Sequence, residues 1–539
     1  MNTKRNALLS GILLLLLLTS ACGGAAATQA PAATAAPNDY IEPAATEAPV
    51  AIEAPASTYV PSGNDAQAPN PLTFGAPSQK SGSEPYDMFF QDYGVNPSID
   101  TEDDHLSTFA LDVDTGSYTV MRNYLNDGNL PPSDSVRVEE YINYFKQNYP
   151  NPPRHQAFGI NLDGAPLPFT QTERYQMLRV GIQGYTVPDE ERQDASLTFV
   201  IDVSGSMEME NRLELVKRSL ELLVEQLGHR DSVSIVAFGS EARVVLEPTS
   251  GSDKDAILSA IYSLHTEGAT NAEAGIRLGY RLALHAYNRE GVNRVILCSD
   301  GVANIGNTDA EVILDEIRGH AREGIMMTTI GFGMGNYNDT LMEQLADNGN
   351  GFYAYVDDMR EAKRLFIDNL TSTLQTIAKD AKVQVDFNPD VVMRYRLVGF
   401  ENRAVADDQF RDNSVDAGEI GAGHSVTALY EVKLYPEAYG NIATVYMRWE
   451  DPDSHSVTEV SKDFSTENLA RDFEDADLYF QRAVVVAEYA EILKKSYWAE
   501  DGSLNAVYRE ASRIYESMPR ERDMEEFVNL LGQATRLSE

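Results

Sequence analysis

Between Asp194 and Ala378 the sequence alternates between short apolar runs and amphipathic stretches, and this alternation restricts the folds open to the chain. The amphipathic stretches carry apolar residues at helical spacing, as at Leu213, Val216 and Leu220. Strands that alternate with helices of about 10–15 residues form parallel βαβ units with helices on both sheet faces. The sequence therefore predicts a doubly wound, Rossmann-like α/β domain around a parallel central sheet. Its predicted strands are Leu197–Ile201, Val233–Phe238, Val244–Leu246, Arg294–Cys298, Ile325–Ile330 and Phe352–Val356.

Oxygen-bearing side chains follow the predicted strands at the points where these strands end. Asp202, Ser204 and Ser206 come directly after the first strand, Asp300 follows the fourth, and Thr270 lies in a loop before a long predicted helix. Ligands bind at the carboxyl ends of the strands in a sheet of this kind, and hard oxygen ligands favour Mg²⁺, Mn²⁺ or Ca²⁺ over zinc. The alternative interpretation is structural, with Asp202 capping the following turn and the serines bonding to the local backbone.

The spacing of these residues resembles the metal-ion-dependent adhesion site of von Willebrand factor type A domains. The family pattern of Asp-x-Ser-x-Ser, a later Thr, and Ser-Asp-Gly after a further strand is complete in this chain. The resemblance implies that the two serines and the threonine bind a divalent cation directly, most often Mg²⁺ with Mn²⁺ and Ca²⁺ as alternatives, while the aspartates act through water. It also implies a protein partner whose acidic side chain completes the metal's shell. The implied metal-binding residues are Asp202, Ser204, Ser206, Thr270 and Asp300.

The flanking sequences are similar to those of bacterial YfbK-type lipoproteins, in which a type A domain lies between two family-specific regions. This resemblance covers most of residues 86–465 and implies the architecture of the chain more than its function. The segments that carry it are Phe109–Tyr118, Leu130–Phe145, Val385–Pro389, Tyr395–Arg403 and Asp416–Tyr430.

The amino terminus has the pattern of an export signal. Lys4 and Arg5 precede an apolar run, Ala7–Leu18, which suits a signal-peptide core and is too short to span a bilayer. The small residues that follow lead into Cys22 and resemble a bacterial lipobox, although Thr19 stands where leucine is usual. This resemblance implies cleavage before Cys22, lipid such as palmitate on its thiol, and a position on the extracytoplasmic side of the bacterial cell membrane. An ordinary secretory peptide, which would leave Cys22 as a free thiol, is the alternative.

Changes in composition divide the chain into six predicted segments. An Ala-, Pro- and Thr-rich stretch, with prolines every six residues from Pro31 to Pro61, cannot bury enough apolar surface to fold. The predicted segments are a lipoprotein signal peptide at 1–21, a disordered stalk at 22–85, a smaller N-terminal α+β region at 86–190, the α/β domain at 191–378, a C-terminal β-rich region at 379–465 and a C-terminal helical region at 466–539.

Charge and cysteine content exclude several classes of function. The chain has 43 Lys and Arg against 83 Asp and Glu, a net charge of −40, so it repels the phosphate backbone of nucleic acids. Its two cysteines are too few for a disulfide scaffold or a cysteine-rich zinc module, and Cys298, at the end of a predicted strand, is expected to be an inert buried thiol. No motif for a small-molecule cofactor is recognised.

One motif resembles part of an enzyme active site. Asp114, Thr115 and Gly116 follow an apolar run, as in the active-site loop of an aspartic protease. That chemistry needs two carboxylates that share a proton, and the sequence contains no second Asp-Thr-Gly. We therefore expect no enzymatic activity and no catalytic residues.

The sequence as a whole predicts an extracytoplasmic, membrane-anchored protein at the cell surface that binds a protein partner through its metal ion. The runner-up is an assembly or chaperone-like subunit of a membrane-associated complex, with a structural or silent metal site. A hydrolase ranks third, because Asp202 and Asp300 already belong to the metal shell and leave no general base beside the ion.

Overall fold

A computed structural model of the 539-residue chain describes residues 86, 88–111, 114–170, 174–301, 310–334, 337–415 and 417–539, without the side chains of 189, 210, 211 and 310. The predicted signal peptide, the predicted stalk and the lipid attachment at Cys22 lie outside these residues. Within the described ranges, no helix combines the length and apolar character that a membrane crossing requires.

The described strands form a central six-stranded sheet, two five-stranded sheets of a second β unit and a separate two-stranded sheet. In chain order they are β1 Met88–Phe89, β2 Ile99–Asp100, β3 Leu106–Ala110, β4 Phe158–Pro166, β5 Tyr175–Gly184, β6 Ala195–Asp202, β7 Ser232–Phe238, β8 Ala242–Ser250, β9 Val292–Ser299, β10 Ile325–Phe332, β11 Tyr337–Asn338, β12 Tyr353–Val356, β13 Thr376–Phe387, β14 Val392–Val398, β15 Gly418–Gly421, β16 Ser425–Leu434, β17 Asn441–Glu450 and β18 Val457–Ser465.

The described helices either cover the central sheet or pack together in a separate helical group. In chain order they are α1 Gly116–Asn126, α2 Val138–Asn143, α3 Arg212–Gln226, α4 Lys254–Tyr262, α5 Ala272–His285, α6 Ala310–Arg322, α7 Asp339–Asn348, α8 Met359–Lys363, α9 Leu370–Leu374, α10 Leu478–Lys494, α11 Leu504–Ser517 and α12 Arg522–Ser538.

The central sheet has the strand order β12-β10-β9-β6-β7-β8, and its first five strands are parallel. Alternate side chains of β6 enter two separate cores. Phe199 and Ile201 pack with α3 and α4, whereas Val200 packs with α5, α6 and α7 on the other face. Helices therefore cover both faces of the sheet, which confirms the predicted doubly wound α/β domain.

Two details of this domain differ from the sequence-based prediction. The edge strand β8 is longer than predicted and runs antiparallel to β7, because three residues connect the two strands and a parallel crossover needs about a dozen. The sequence also predicts a helix over Arg360–Ala378. In the structure the helical part ends at Leu374, since β13 begins at Thr376 and pairs there with β15.

The sequence before the α/β domain and the sequence after it build the second β unit together. One sheet contains β15, β13, β17 and β18 with β3 joined to β13, and the other has the order β2-β14-β16-β5-β4. Side chains of both sheets, among them Val385, Phe387 and Tyr430, share one buried core. The segment boundaries predicted from composition stay predictions, but segments 86–190 and 379–465 contribute strands to the same sheets.

Helices α10, α11 and α12 bury their apolar faces against α1 and α2 in a further core. A buried guanidinium connects this helical group to the α/β domain. Arg122 on α1 forms an ion pair of 2.6 Å with Asp357, which follows β12, and one of 3.2 Å with Glu526 on α12. These contacts join three parts of the sequence that are far apart along the chain.

Candidate metal centre

The candidate metal centre comprises the five oxygen-bearing residues that the sequence singles out, and the central sheet determines where they lie. Strands β6 and β9 are parallel neighbours with Ile201 opposite Cys298, so Asp202 and Ser299 meet at the carboxyl ends of the two strands. Those ends are where ligands bind in open α/β sheets. The five residues are Asp202, Ser204, Ser206, Thr270 and Asp300.

Asp202 is the most deeply buried residue of the centre, with 0% of its surface exposed. Its Oδ1 accepts a hydrogen bond of 2.8 Å from the backbone N–H of Ser204, and its Oδ2 accepts one of 2.7 Å from the Ser299 hydroxyl. Burial raises the pKa of the Asp202 carboxyl to about 6 and the charge of Asp300 adds to this, whereas the hydrogen bonds lower it. A cation near Asp202 would therefore favour its charged form.

Ser204 and Ser206 stand side by side above this carboxylate. Ser204 is buried and Ser206 is half-buried at the start of a 3₁₀ helix, Gly205–Asn211. Their hydroxyl oxygens lie 3.1 Å apart. Two adjacent ligands of an octahedral Mg²⁺, each at about 2.1 Å, are separated by about 3 Å, so the spacing of the two hydroxyls suits this ion.

Thr270 lies on the loop beside the serines. The Gly205 N–H donates to the Gly268 carbonyl at 3.1 Å, which ties this loop to the serine loop. Gly268 has a φ of +67° that favours glycine, and Asn271 caps α5 by accepting from the Ala274 N–H at 3.1 Å. The Thr270 side chain is half-buried.

Asp300 differs from Asp202 because a guanidinium already compensates its charge. Arg212, at the start of α3, forms an ion pair of 2.7 Å with Asp300, and both are almost fully buried. Sequence reasoning missed Arg212. The signal for it was a charged residue on the apolar face of α3, in register with Val216 and Leu220.

The residues present fit a hard divalent cation. Across the ranges that the structure describes, no group of three or more His, Cys, Asp or Glu side chains is placed to hold a metal ion. The candidate metal centre instead combines two carboxylates with three hydroxyls, which is an oxygen-only donor set. A divalent cation held there would supply a Lewis-acidic position for an anionic group of a partner.

The enzyme-like motif has a structural role. Asp114 is buried, and its Oδ1 accepts from the Tyr353 N–H at 2.9 Å at the start of β12. Its Oδ2 lies 3.4 Å from a guanidinium nitrogen of Arg403. Asp114 therefore attaches the segment before α1 to the edge of the central sheet. Cys298 is buried inside β9, and burial raises the pKa of its thiol, as expected for an inert cysteine.

Family comparisons match three consecutive parts of the chain. The von Willebrand factor type A domain family matches residues 196–368, and the family described as von Willebrand factor matches residues 84–179. The family described as "Uncharacterized protein YfbK, C-terminal" matches residues 372–537. Type A domains are generally protein-interaction modules and commonly bind a divalent metal.

Two individual relatives match parts of the chain. The chain is 40% identical over 353 residues to the uncharacterized protein YfbK of Escherichia coli, and the match covers 64% of this chain and 61% of YfbK. It is 30% identical over 207 residues to the uncharacterized protein sll0103 of Synechocystis, covering 38% of this chain and 47% of that one. The chain thus spans about half to three-fifths of the length of these relatives.

A solved structure described as von Willebrand factor type A from Catenulispora acidiphila is 15% identical, with a TM-score of 0.42, and the match covers 71% of this chain and 90% of that one. The three family matches lie on the α/β domain and on the sequences that flank it. Residues 196–368 thus match the von Willebrand factor type A domain family, and the chain is similar to the YfbK proteins.

Proposed function

We propose that the chain is an adhesion protein that captures an acidic side chain of a protein partner through a divalent cation, Mg²⁺ before Mn²⁺ or Ca²⁺, bound at the candidate metal centre. One observation carries this proposal. The Ser204 and Ser206 hydroxyls lie 3.1 Å apart beside the buried carboxylate of Asp202, at the carboxyl end of the central sheet. The partner's carboxylate would occupy a coordination position that the protein leaves to solvent.

The charge of the molecule makes the cation necessary for such a partner. A chain of net charge −40 repels an acidic surface at long range. A divalent ion reverses the sign of the potential locally, within a Debye length of about 8 Å at physiological salt. Binding of an acidic group should therefore depend on the metal.

The amino terminus supports a position at the cell surface. We propose that lipid on Cys22 anchors the protein to the extracytoplasmic side of the bacterial cell membrane and that residues 22–85 act as a spacer. This part of the proposal depends on the sequence pattern at Lys4, Arg5 and the apolar run that follows them.

The proposal is tested by crosslinked capture of partners from the membranes of the native organism with the full-length protein. We expect capture by the wild type in Mg²⁺, and loss of capture in chelator or after Asp202→Ala. Ser204→Ala/Ser206→Ala should lose capture as well. Ser250→Ala/Ser252→Ala is the matched control, because these two hydroxyls lie 3.0 Å apart on an exposed turn at the opposite end of the sheet.

Unchanged capture in chelator would refute metal-dependent binding. Capture that is also unchanged in the Ser204→Ala/Ser206→Ala variant, together with wild-type behaviour of that variant in cells, would favour an assembly subunit with a silent metal site. A chelator-sensitive peptidase activity of the pure protein would instead favour a hydrolase.

A further inference from the structure

A buried tyrosine on β11, Tyr337, packs against the strand ends that carry the candidate metal centre. Only 1% of its surface is exposed. A Cβ at Gly301, the residue after Asp300, would overlap the Tyr337 ring, and a Cβ at Gly331 would overlap its hydroxyl. Gly331 on β10 lies opposite Ser299 on β9. Two glycines therefore leave room for one aromatic ring beside Ser299 and Asp300.

A chain of hydrogen bonds holds the Tyr337 ring in this position. Its hydroxyl lies 2.8 Å from the Tyr353 hydroxyl, which donates to Asp339 Oδ1 at 2.7 Å. Because Tyr353 gives its one hydroxyl proton to this carboxylate, Tyr337 is the donor to Tyr353. Asp339 Oδ2 in turn accepts from the Arg137 guanidinium at 2.7 Å. All four side chains are buried, so their hydrogen bonds are shielded from water.

Two parts of the sequence before the α/β domain hold Tyr337. Arg137 immediately precedes α2 and ends the chain of hydrogen bonds. Strand β1 pairs in parallel with β11, so that Met88 lies opposite Tyr337. Both parts lie outside residues 196–368, which match the type A domain family. The candidate metal centre thus packs against a residue that the preceding sequence holds in place.

We propose that Tyr337 is a positioning residue of the candidate metal centre, which holds Ser299 and Asp300 in place before the cation binds. Ser299 donates to Asp202 at 2.7 Å, so this support extends to the buried carboxylate. Mg²⁺ requires nearly ideal octahedral geometry, whereas Ca²⁺ tolerates irregular coordination. A rigid support therefore favours Mg²⁺ over Ca²⁺. This inference rests on the proposed function, and it names a residue on which the metal preference of the same site depends.

The test is a calorimetric titration of Mg²⁺ and of Ca²⁺ into the full-length protein at physiological salt, comparing the wild type with two variants. Tyr337→Leu loses the ring and the hydroxyl. It should bind Mg²⁺ at least about tenfold more weakly, as is typical when a group that orients metal ligands is removed. Tyr337→Phe keeps the ring and should bind Mg²⁺ about threefold more weakly, because one hydrogen bond is missing. The affinity for Ca²⁺ should fall less in both variants.

Tyr430→Phe is the matched control. Tyr430 is also fully buried, and its hydroxyl donates to the Ser107 hydroxyl at 3.0 Å in the second β unit. This variant should bind both ions as the wild type does. Tyr353→Phe breaks the chain of hydrogen bonds one residue further from the candidate metal centre. It should lower the Mg²⁺ affinity as Tyr337→Phe does, and it replaces Tyr337→Leu if that variant does not fold.

The outcomes separate this inference from the proposed function. Unchanged Mg²⁺ affinity in the folded Tyr337 variants, an equal loss of affinity for Mg²⁺ and Ca²⁺, or the same loss in Tyr430→Phe would overturn the inference and leave the metal site intact. A wild type that binds no Mg²⁺ refutes the proposed function itself, and this inference with it.

Discussion

At the scale of single residues, carboxylates in this molecule differ in how far a neighbouring guanidinium offsets their negative charge. On α10, Glu491 forms an ion pair of 3.3 Å with Arg396, and Glu431 forms one of 2.9 Å with the same guanidinium. Glu488, one turn earlier, lies next to both carboxylates. Burial and the charges of Glu431 and Glu491 together raise the pKa of Glu488 to about 7, although Arg396 lowers it. The carboxylate of Glu488 therefore destabilises the folded state at neutral pH.

The sign of the pH dependence follows from this shift. The pKa of Glu488 is higher in the folded chain than its ordinary value of 4.5, so stability declines as the pH rises from about 4.5 through 7. Glu488→Gln should be more stable than the wild type at pH 8 by about 1–3 kcal/mol, and equally stable near pH 4.5. Urea unfolding at both pH values measures this difference.

Glu431→Gln serves as the matched control, because Glu431 pairs with the Arg396 guanidinium through both of its carboxylate oxygens. It should destabilise the protein at pH 8. A Glu488→Gln variant that is no more stable than the wild type at pH 8 would contradict this description of the cluster.

At the scale of elements, close packing of α5 on β6 holds the candidate metal centre in place. α5 begins after Thr270, and β6 ends at Asp202. A Cβ at Gly279 on α5 would overlap the Val200 side chain on β6. The glycine thus permits a close approach of helix and strand that any larger residue would prevent.

Gly279→Ala should therefore destabilise the protein by about 1–3 kcal/mol through overpacking. Gly319→Ala on α6 is the control, because a Cβ there meets no atom within 4 Å. It should stabilise the protein by about 0.5–1 kcal/mol through helix propensity. Thermal unfolding of both variants measures the two changes in stability. Equal changes in stability at the two glycines would show that α5 does not pack tightly on β6.

The sequence was sufficient to predict the alternation of β6, β7, β9, β10 and β12 with helices, because the local periodicity of apolar residues encodes it. It also predicted that Asp202 and Asp300 each follow the end of a strand of this sheet. It could not predict that β3 pairs with β13, since partners so distant in sequence are chosen by tertiary packing. Arg212 was missed for a related reason: its ion pair with Asp300 exists only once α3 packs against the sheet.

At the scale of the whole molecule, the sequences on both sides of the α/β domain fold around it as one body. Strands from both sides share sheets, and Arg122 joins α1, α12 and the end of β12. At the carboxyl end of the central sheet, Ser206 and Thr270 are half-exposed, whereas Asp202 and Ser204 are buried. The fold therefore leaves part of the candidate metal centre open to solvent.

The net charge of −40 affects how such a centre can be detected. Acidic side chains attract divalent cations over the whole surface, and these weak associations are suppressed by salt. Specific binding must therefore be recognised by its dependence on individual residues of the candidate metal centre.

The most direct test is a calorimetric titration of Mg²⁺ into the full-length protein at physiological salt, comparing the wild type, Ser204→Ala/Ser206→Ala and Ser250→Ala/Ser252→Ala. We predict that the wild type and the second variant each bind one ion with the same affinity, and that the first variant binds at least about tenfold more weakly because it lacks two oxygen ligands. Equal Mg²⁺ binding by all three proteins, or none by the wild type, would contradict a metal centre at this site.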